Sequence, residues 1–585
     1  MQRLLIEITS DITDRANKNP MNHLVRLQTT LLIFLWPILS YSQQDLKGTI
    51  SDNQGHPLPY ATIYNLNNLT GTASSENGTF LLKSANLGDS LTCSYIGFKE
   101  QVIVVSSFDK LEIILQKSVT MMDEISITAD DDYLYEWVAR IRKKRKTTQK
   151  TAKTYYFLQS TIDEQTTEVL ESYNNGYYSN LNADLLSIKK GRVGIDSVDG
   201  RYFLSTSTSL AMLRHNIWDR KSPFPNNPLN YKKRRLKKLY KLHLDSRYKS
   251  DNNLITVIRF EPLNEDKDLF SGVVAFDDQY RLRKIELEIQ ETKTHPFESF
   301  GGITLQTMDI RLTKTFQLID QKPFLDHIDF DYKIDYLDRG QTPVAVKTKA
   351  YIKAYSYEET FSTPIFRFSN HIHRDYRDMT AIPYDSIFWE QIDEFRLFEK
   401  QEFASEFISK NKVENSLLPP SASINNNSLE SPYLNWEPMR FMIVELPQEE
   451  LEKAARDHPY VGDRYYFDFK MYLDSYTLRD STYIQSAAIL DPVRTRYELK
   501  ITKLDHEWMN MYFDLLEIER RRMDRNLRML PKPVTREQLE NEHRSARSEF
   551  IKLANVFRED TKRGRDFYGM EKWKKSIEEE LLSLQ

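Results

Sequence analysis

Cysteine is almost missing from this 585-residue chain, and its one copy, Cys93, rules out an internal disulfide framework and any multi-cysteine zinc or iron–sulfur site. It cannot lipidate a mature N-terminus either. Set in the strand-like run Leu91 to Phe98, it is expected as a small buried thiol. An excess of one charge is also missing: 81 basic and 85 acidic residues leave a net charge of −4, so no global field draws in nucleic acid or acidic substrates. After residue 42 no run approaches about 18 uninterrupted apolar residues, which excludes a later membrane-spanning helix. No Gly-rich phosphate loop, G-x-S-x-G elbow or Cys/His nucleophile signature appears. Glycine is sparse at 17 residues, while 40% hydrophobic and 12% aromatic content describes a folded, β-rich chain. Cores stop growing near roughly 250–300 residues, so about three domains are expected.

What is present begins with an address. Met21 to Ser42 reads as a secretory signal: His23 and Arg26 lie near its start, the mostly apolar Leu27 to Leu39 follows, and Ser40-Tyr41-Ser42 supplies small residues before Gln43. The apolar stretch is about 13 residues and carries Pro37, whereas a spanning helix needs about 20. Cleavage after Ser42 is therefore expected. Residues 1–20 are polar and unlike the start of a signal, which makes Met21 the expected first residue.

From Leu46 to Leu115, short alternating runs are separated by turn residues at Asp52-Asn53-Gln54-Gly55 and Glu76-Asn77-Gly78. That spacing predicts six or seven strands in a small sandwich over 45–117. Gly48-x-Ile50-x-Asp52, Pro57-Leu58-Pro59-x-Ala61-Thr62-Ile63, Gly71-Thr72 with Asn77-Gly78-Thr79-Phe80, and Ser94-Tyr95-Ile96-Gly97-Phe98 resemble the carboxypeptidase-like regulatory domain. The resemblance implies a transthyretin-like fold found at the front of gram-negative envelope proteins. It implies no peptidase activity, because the family name refers to a domain appended to the zinc-bearing catalytic part. Ser75 departs from the family's usual aspartate, which predicts a weaker side-chain hydrogen bond in that turn.

The stretch 133–409 reads as a β-rich middle domain. Tyr133 to Lys150 predicts a helix, with Leu134, Trp137, Val138 and Ile141 on one face. Lys232, Lys233, Arg234 and Arg235 form a basic cluster that, behind a signal peptide, is a candidate site for lipid phosphates or lipopolysaccharide. Leu254 to Phe260, Gly272 to Phe276 and Leu282 to Ile289 predict hairpin strands, with Asp277-Asp278-Gln279 as one turn. The pattern resembles the curved sheets of lipoprotein-carrier-like envelope proteins, which implies a sheet able to cradle an acyl chain or to pack on its own helix. His371 and His373, two apart on a strand, would face the same side and are weak metal candidates, since a third ligand at fixed spacing is missing. Residues 410–431, rich in Asn, Ser and Pro, read as a linker.

Residues 432–585 predict an α+β domain with strands at Phe441 to Leu446, Tyr465 to Tyr472 and Tyr497 to Ile501, then helices near Leu504 to Met529 and Arg536 to Arg563. The run Phe557-Arg558-Glu559-Asp560-Thr561-Lys562-Arg563-Gly564, followed by Trp573, resembles the C-terminal helix of secreted zinc-dependent proteases. In that family His-Glu-x-x-His precedes Phe-Asp. Here Phe513-Asp514 is present, but Trp508, Met509 and Tyr512 stand where the two histidines and the glutamate belong. Aligning on His506 and Glu507 instead leaves Asn510 as the second ligand. On a helix, i and i+4 imidazoles share one metal while the glutamate activates its water, so these positions are expected to form a degenerate metal site. A helix fills a core with tryptophan, methionine and tyrosine where a polar site is lost.

The expected fold class is a multi-domain, β-rich α+β chain: a transthyretin-like sandwich, a central antiparallel domain and a helical C-terminal domain. The expected role is a non-catalytic, exported accessory or binding protein of the periplasm or outer membrane, with no catalytic residue and no cofactor. Its partner would be an envelope protein or outer-membrane component, not nucleic acid, with peripheral membrane association open. The alternatives are a secreted zinc-dependent hydrolase with a non-standard site and a lipid or lipoprotein carrier.

Overall fold

The computed structural model describes residues 44–67, 70–75, 77–95, 97–118, 132–143, 148–179, 181–199, 207–250, 253–264, 267–298, 303–338, 342–357, 359–365, 375–380, 382–392, 395, 398–411, 434–436, 465–478, 481–497 and 503–584. They fall into two compact units, one up to residue 95 and over 100–115, the other over 96–99 and from 116 onward.

The first unit holds seven strands: β1 (Gln44–Asp52), β2 (Thr62–Asn65), β3 (Gly71–Ala73), β4 (Thr79–Ala85), β5 (Ser90–Ser94), β6 (Gln101–Val104) and β7 (Leu111–Leu115). They make two sheets, β4-β1-β7 and β3-β2-β5-β6. Alternation aims Leu46, Ile50, Phe80, Leu82, Ile113 and Leu115 inward from one sheet and Ile63, Leu91 and Cys93 from the other. Burial pushes the Cys93 thiol up to about 12, so it stays protonated and unreactive. Gly48 is required by space, because a Cβ there would sit 2.3 Å from the Phe80 ring. The Ser75 turn closes through its hydroxyl, which accepts from Asn77 N and Thr79 N, both at 3.2 Å. Serine thus does the aspartate's job with long contacts.

The second unit is built on a ten-stranded, wholly antiparallel sheet. In chain order come α1 (Asp132–Lys143), β8 (Gln149–Ile162), β9 (Gln165–Ser179), β10 (Asn182–Ile195), α2 (Thr208–Arg214) and α3 (Lys233–Leu236). The long meander β11 (Tyr240–Ser250), β12 (Asn253–Pro262), β13 (Ser271–Phe276), β14 (Leu282–Thr292), β15 (Ile303–Ile319), β16 (Lys322–Asp338) and β17 (Thr342–Ser356) follows. The sheet order is β10-β9-β8-β17-β16-β15-β14-β13-β12-β11. Its first three strands therefore join the meander through β17 against β8, with Ala350 opposite Leu158. Helix α1 is shorter than its periodicity predicts: by Gln149 the chain is strand, because ladders to β9 and β17 outweigh local preference.

One sheet face is filled by its own chain. Ile258, Phe260, Leu287, Leu312, Phe330 and Ile352 of the sheet share a core with Leu134, Val138 and Ile141 of α1 and with Met212, Ile217, Phe224 and Leu236 of the connection between β10 and β11. Two asparagines hold that connection inside the apolar layer. Asn227 Oδ1 accepts from Leu229 N at 2.9 Å, Asn230 Oδ1 from Asn227 N at 2.8 Å, and both amides donate to Ile217 O, so neither of these two side chains is buried without a partner.

The other face of β8, β9 and β10 is covered too. After β17 come α4 (Asp375–Thr380), α5 (Ser386–Gln391) and α6 (Phe398–Asn411). Tyr155 and Tyr173 meet Phe388, Trp389 and Phe395 edge-on or tilted, at centroid distances of 5.6 to 5.8 Å. A three-stranded sheet of β18 (Leu434–Asn435), β19 (Tyr465–Leu478) and β20 (Ser481–Tyr497) follows, with β20 central. The chain ends in α7 (Lys503–Met529), α8 (Arg536–Asp560) and α9 (Phe567–Ser583). Thr535 and Gln538 form a capping box at the start of α8, and Asp566 caps α9 by accepting from Gly569 N at 3.0 Å. The segment Phe441 to Leu446 and the linker beyond Asn411 lie outside the described residues.

Candidate functional site

Helix α7 carries the positions that resemble a zinc site. Met509 is buried, and Trp508 stacks on Phe557 of α8 at 5.6 Å and 16°. The Trp508 indole donates to Thr561 Oγ1 at 2.9 Å, and that hydroxyl donates to Phe557 O at 2.6 Å. Tyr512 packs against Phe469 of β19 and Phe550 of α8. Trp508 and Met509 belong to one core with Leu516, Phe550 and Phe557, and Tyr512 packs against it. Asn510, the would-be second ligand for His506, turns its amide back to His506 O at 2.8 Å. Among the described residues no group of three or more His, Cys, Asp or Glu is arranged to hold a metal. His371 and His373 lie outside the described residues.

One member of the basic cluster and a lysine just after it are answered by acids within their own unit. Lys233 Nζ lies 2.7 Å from Asp132 Oδ2 and 3.3 Å from Glu136 Oε2 on α1, and Lys237 pairs with Asp132 as well. Lys232, Arg234 and Arg235 remain exposed.

Three polar arrays were invisible to pattern reading. The first joins β10 to β19. A bulge between Ile188 and Lys190 re-aims the strand, and two consecutive lysines reach the same carboxylate: Lys189 Nζ is 2.5 Å from Asp474 Oδ1 and Lys190 Nζ 3.0 Å from Asp474 Oδ2. Asp385 adds a second carboxylate 3.2 Å from Lys190, and the carbonyls of Ser362 and Ser475 each accept from Lys189 at 2.8 Å. All four charged groups are buried. Burial pushes Lys189 down to about 8, with Asp474 pulling the other way. The array locks the three-stranded sheet onto the ten-stranded one.

The second array lies on β15 and β16. Thr315 Oγ1 is 3.1 Å from His327 Nε2, and His327 Nδ1 is 2.8 Å from Asp326 Oδ2, an order of groups that resembles nucleophile, base and orienting acid. Lys353 Nζ also takes Asp326, at 2.7 Å. Burial alone would raise the Asp326 carboxyl, but Lys353 and His327 hold it well below the usual range, while burial pushes the His327 imidazole down. Thr315 and His327 are both buried, which denies a substrate access to the hydroxyl.

The third is a cleft of about 80 Å³ lined by Leu186 and Ile188 of β10, Leu213 of α2 and Asp375 and Met379 of α4, among others. The Tyr156 hydroxyl donates to Asp375 Oδ2 at 2.9 Å and Ser209 N to the same oxygen at 2.8 Å. Burial nevertheless pushes the carboxyl above its ordinary value. Ligand pockets run to about 300–1,000 Å³, so this cleft is too small for an acyl chain.

With the geometry in place, the comparisons with known proteins divide sharply along the chain. A CarboxypepD_reg-like domain model matches residues 46–127. The N-terminal sandwich is thus similar to carboxypeptidase-like regulatory domains. No curated protein matches the chain, and nothing supports the resemblance of its C-terminal helices to zinc-dependent proteases; the shared tail motif is met here by a packed helical core. Among solved structures, a LolA superfamily protein from Nitrosomonas europaea is 11% identical over 37% of this chain and 91% of its own, with a TM-score of 0.14. MucB is 9% identical over 39% of this chain and 94% of its own, with a TM-score of 0.15. Scores this low carry no argument about what lies beyond the regulatory domain. No helix among the described residues is long and apolar enough to cross a membrane.

Proposed function

We propose that this chain is a non-catalytic, exported accessory or binding protein of the cell envelope, presenting a regulatory domain ahead of a β-rich body whose C-terminal helices form a closed core. The observation that carries the reading is the packing of Trp508 and Tyr512 against α8, with Met509 buried in the same core. A zinc hydrolase needs an open coordination position and a water there; stacked rings 5.6 Å apart fill it. The signal-like segment before Gln43 supports export. The carrier reading asks for an apolar groove, and the sheet face that would form one is filled by α1 and by residues 208–236.

The test is hydrolysis by the zinc-supplemented protein of casein and of simple peptide and ester substrates. No turnover above buffer is expected. Turnover abolished by His506→Ala or Glu507→Ala would overturn the proposal. The envelope assignment is tested separately by fractionation: the chain is expected outside the cytosol with Gln43 as its first residue, and recovery from the cytosol alone would overturn export.

A further inference from the structure

The turn between α8 and α9 combines features that the packing of the C-terminal core does not use. Phe567 and Tyr568, in the first turn of α9, are 59% and 85% exposed, and Val556, just over one turn before the end of α8, is 49% exposed. The two rings lie against each other, centroids 6.2 Å apart, and form a contiguous apolar patch of the kind that marks an interaction site. Basic residues surround them: between positions 559 and 575 the sequence holds six, Lys562, Arg563, Arg565, Lys572, Lys574 and Lys575, against four acids, Glu559, Asp560, Asp566 and Glu571, with Lys562 paired to Asp566 at 3.3 Å and Lys575 3.9 Å from Glu579. That local excess of positive charge stands on a chain whose net charge is −4. Tyr568, Lys572 and Lys575 recur at i, i+4 and i+7, one face of α9, and all three are exposed.

The turn is also rigidly built. Lys562 and Arg563 both hold positive φ, at 47° and 59°, before Gly564 at 84°, a conformation that side-chain-bearing residues adopt only when their surroundings enforce it. Here Asp566 N donates to Thr561 O at 2.9 Å, the Trp573 indole donates to Asp560 Oδ2 at 3.0 Å, and a Cβ on Gly569 would lie 2.5 Å from Asp560 O. Trp508 buttresses the inside through Thr561. The reversal therefore keeps two rings and a cluster of cations at one fixed tip.

The geometry points to this tip as a docking site for an anionic lipid surface, the rings entering the interfacial layer and the basic side chains meeting phosphate headgroups. Aromatic rings with one polar end prefer that layer, long basic side chains reach along it, and each lysine or arginine near an anionic surface raises partitioning about fivefold. The inference rests on the envelope reading and deepens it, since it names the surface by which such a protein would attach. Both basic clusters hold ion pairs, Lys233 and Lys237 with acids of α1 and Lys562 with Asp566; this one adds exposed aromatic area.

The experiment is co-sedimentation of the chain from Gln43 onward, which contains every described residue, with vesicles of phosphatidylglycerol mixed into phosphatidylcholine and with phosphatidylcholine alone. Binding to the anionic vesicles that weakens with salt is expected. Arg563→Glu with Arg565→Glu should lower it about tenfold or more, and Phe567→Ser with Tyr568→Ser should lower it while leaving the melting temperature unchanged, because both rings are exposed. Absence of binding to anionic vesicles overturns the proposal, as does binding that both tip variants leave intact but Lys232→Glu with Arg234→Glu removes. Hydrolytic turnover in the separate assay would sink the non-catalytic reading without altering these vesicle results.

Discussion

Replacing Asp474 with alanine removes the carboxylate that Lys189 and Lys190 approach at 2.5 and 3.0 Å. Lys190 keeps Asp385 at 3.2 Å, but Lys189 is left with neutral partners, the Ser362 and Ser475 oxygens. Breaking a buried ion pair by deleting one partner costs about 3–5 kcal/mol, because the remaining charge is stranded in a poor solvent. The damage should concentrate where β10 meets β19, so native-state hydrogen exchange of those strands is the appropriate assay. At about 1.4 kcal/mol per decade, amides that exchange by opening this junction should accelerate by two to three orders of magnitude. The pH dependence follows from Lys189. Its folded value near 8 lies below the ordinary 10.5, so the folded state binds fewer protons, and this contribution to stability is full above about 10.5 and lost as pH falls through about 8. Without Asp474 the folded value drops further, making the variant's deficit largest at neutral pH and smaller toward pH 10. The pair Lys189→Met with Asp474→Leu should recover much of the loss. Exchange within threefold of the parent at pH 7 would refute the reasoning.

Further outcomes follow from single contacts. Lys314 is buried, donates to His215 O at 2.6 Å and is pushed by burial to about 7; its contribution to stability is therefore lost as pH falls from about 10.5 through 7, and Lys314→Met should flatten the rise of melting temperature over that window. Gly48→Ala would place a methyl 2.3 Å from the Phe80 ring and 2.5 Å from Leu111 O, costing about 1–3 kcal/mol in the regulatory domain; thermal melting of the sandwich checks it. Trp508→Ala loses the stack on Phe557 and the bond to Thr561, and calorimetry should show the C-terminal helices weakened by about 3–5 kcal/mol.

Sequence pattern reached unevenly into this molecule. The sandwich was legible because its strands alternate cleanly and its turns carry Asp52, Gly55 and Gly78 where the chain reverses. Helices α7 and α8 were legible for the analogous reason, a long 3.6-residue stripe, and their bounds fall within three residues of those expected. Strands β8, β9 and β10 were not. They are covered on both faces, so burial does not alternate, and much of what they bury is polar: Glu168, Glu171, Asn174, Asn175, Lys189, Lys190 and Arg192. A polar residue in a sequence announces solvent; only the fold shows Arg192 Nε donating to Glu171 at 2.6 Å while its guanidinium lies over Trp389 at 4.3 Å. β20 was hidden similarly, since Ala487, Ala488 and Asp491 interrupt any β-like run and its pairing partner β19 does the ordering. The candidate metal positions could be weighed from sequence because zinc chemistry tolerates few residue types. The ion cluster at Asp474 could not, because its members lie up to 285 residues apart and meet only through a bulge.

The proposed non-catalytic role requires α7 to be a core helix and not a metal-binding one. The direct test is the zinc content of the purified chain from Gln43 to Gln585 after dialysis against metal-free buffer, read by elemental analysis. Zinc far below one atom per chain, unchanged by His506→Ala, is the predicted result. About one zinc per chain, lost on substituting His506 or Glu507, would contradict it.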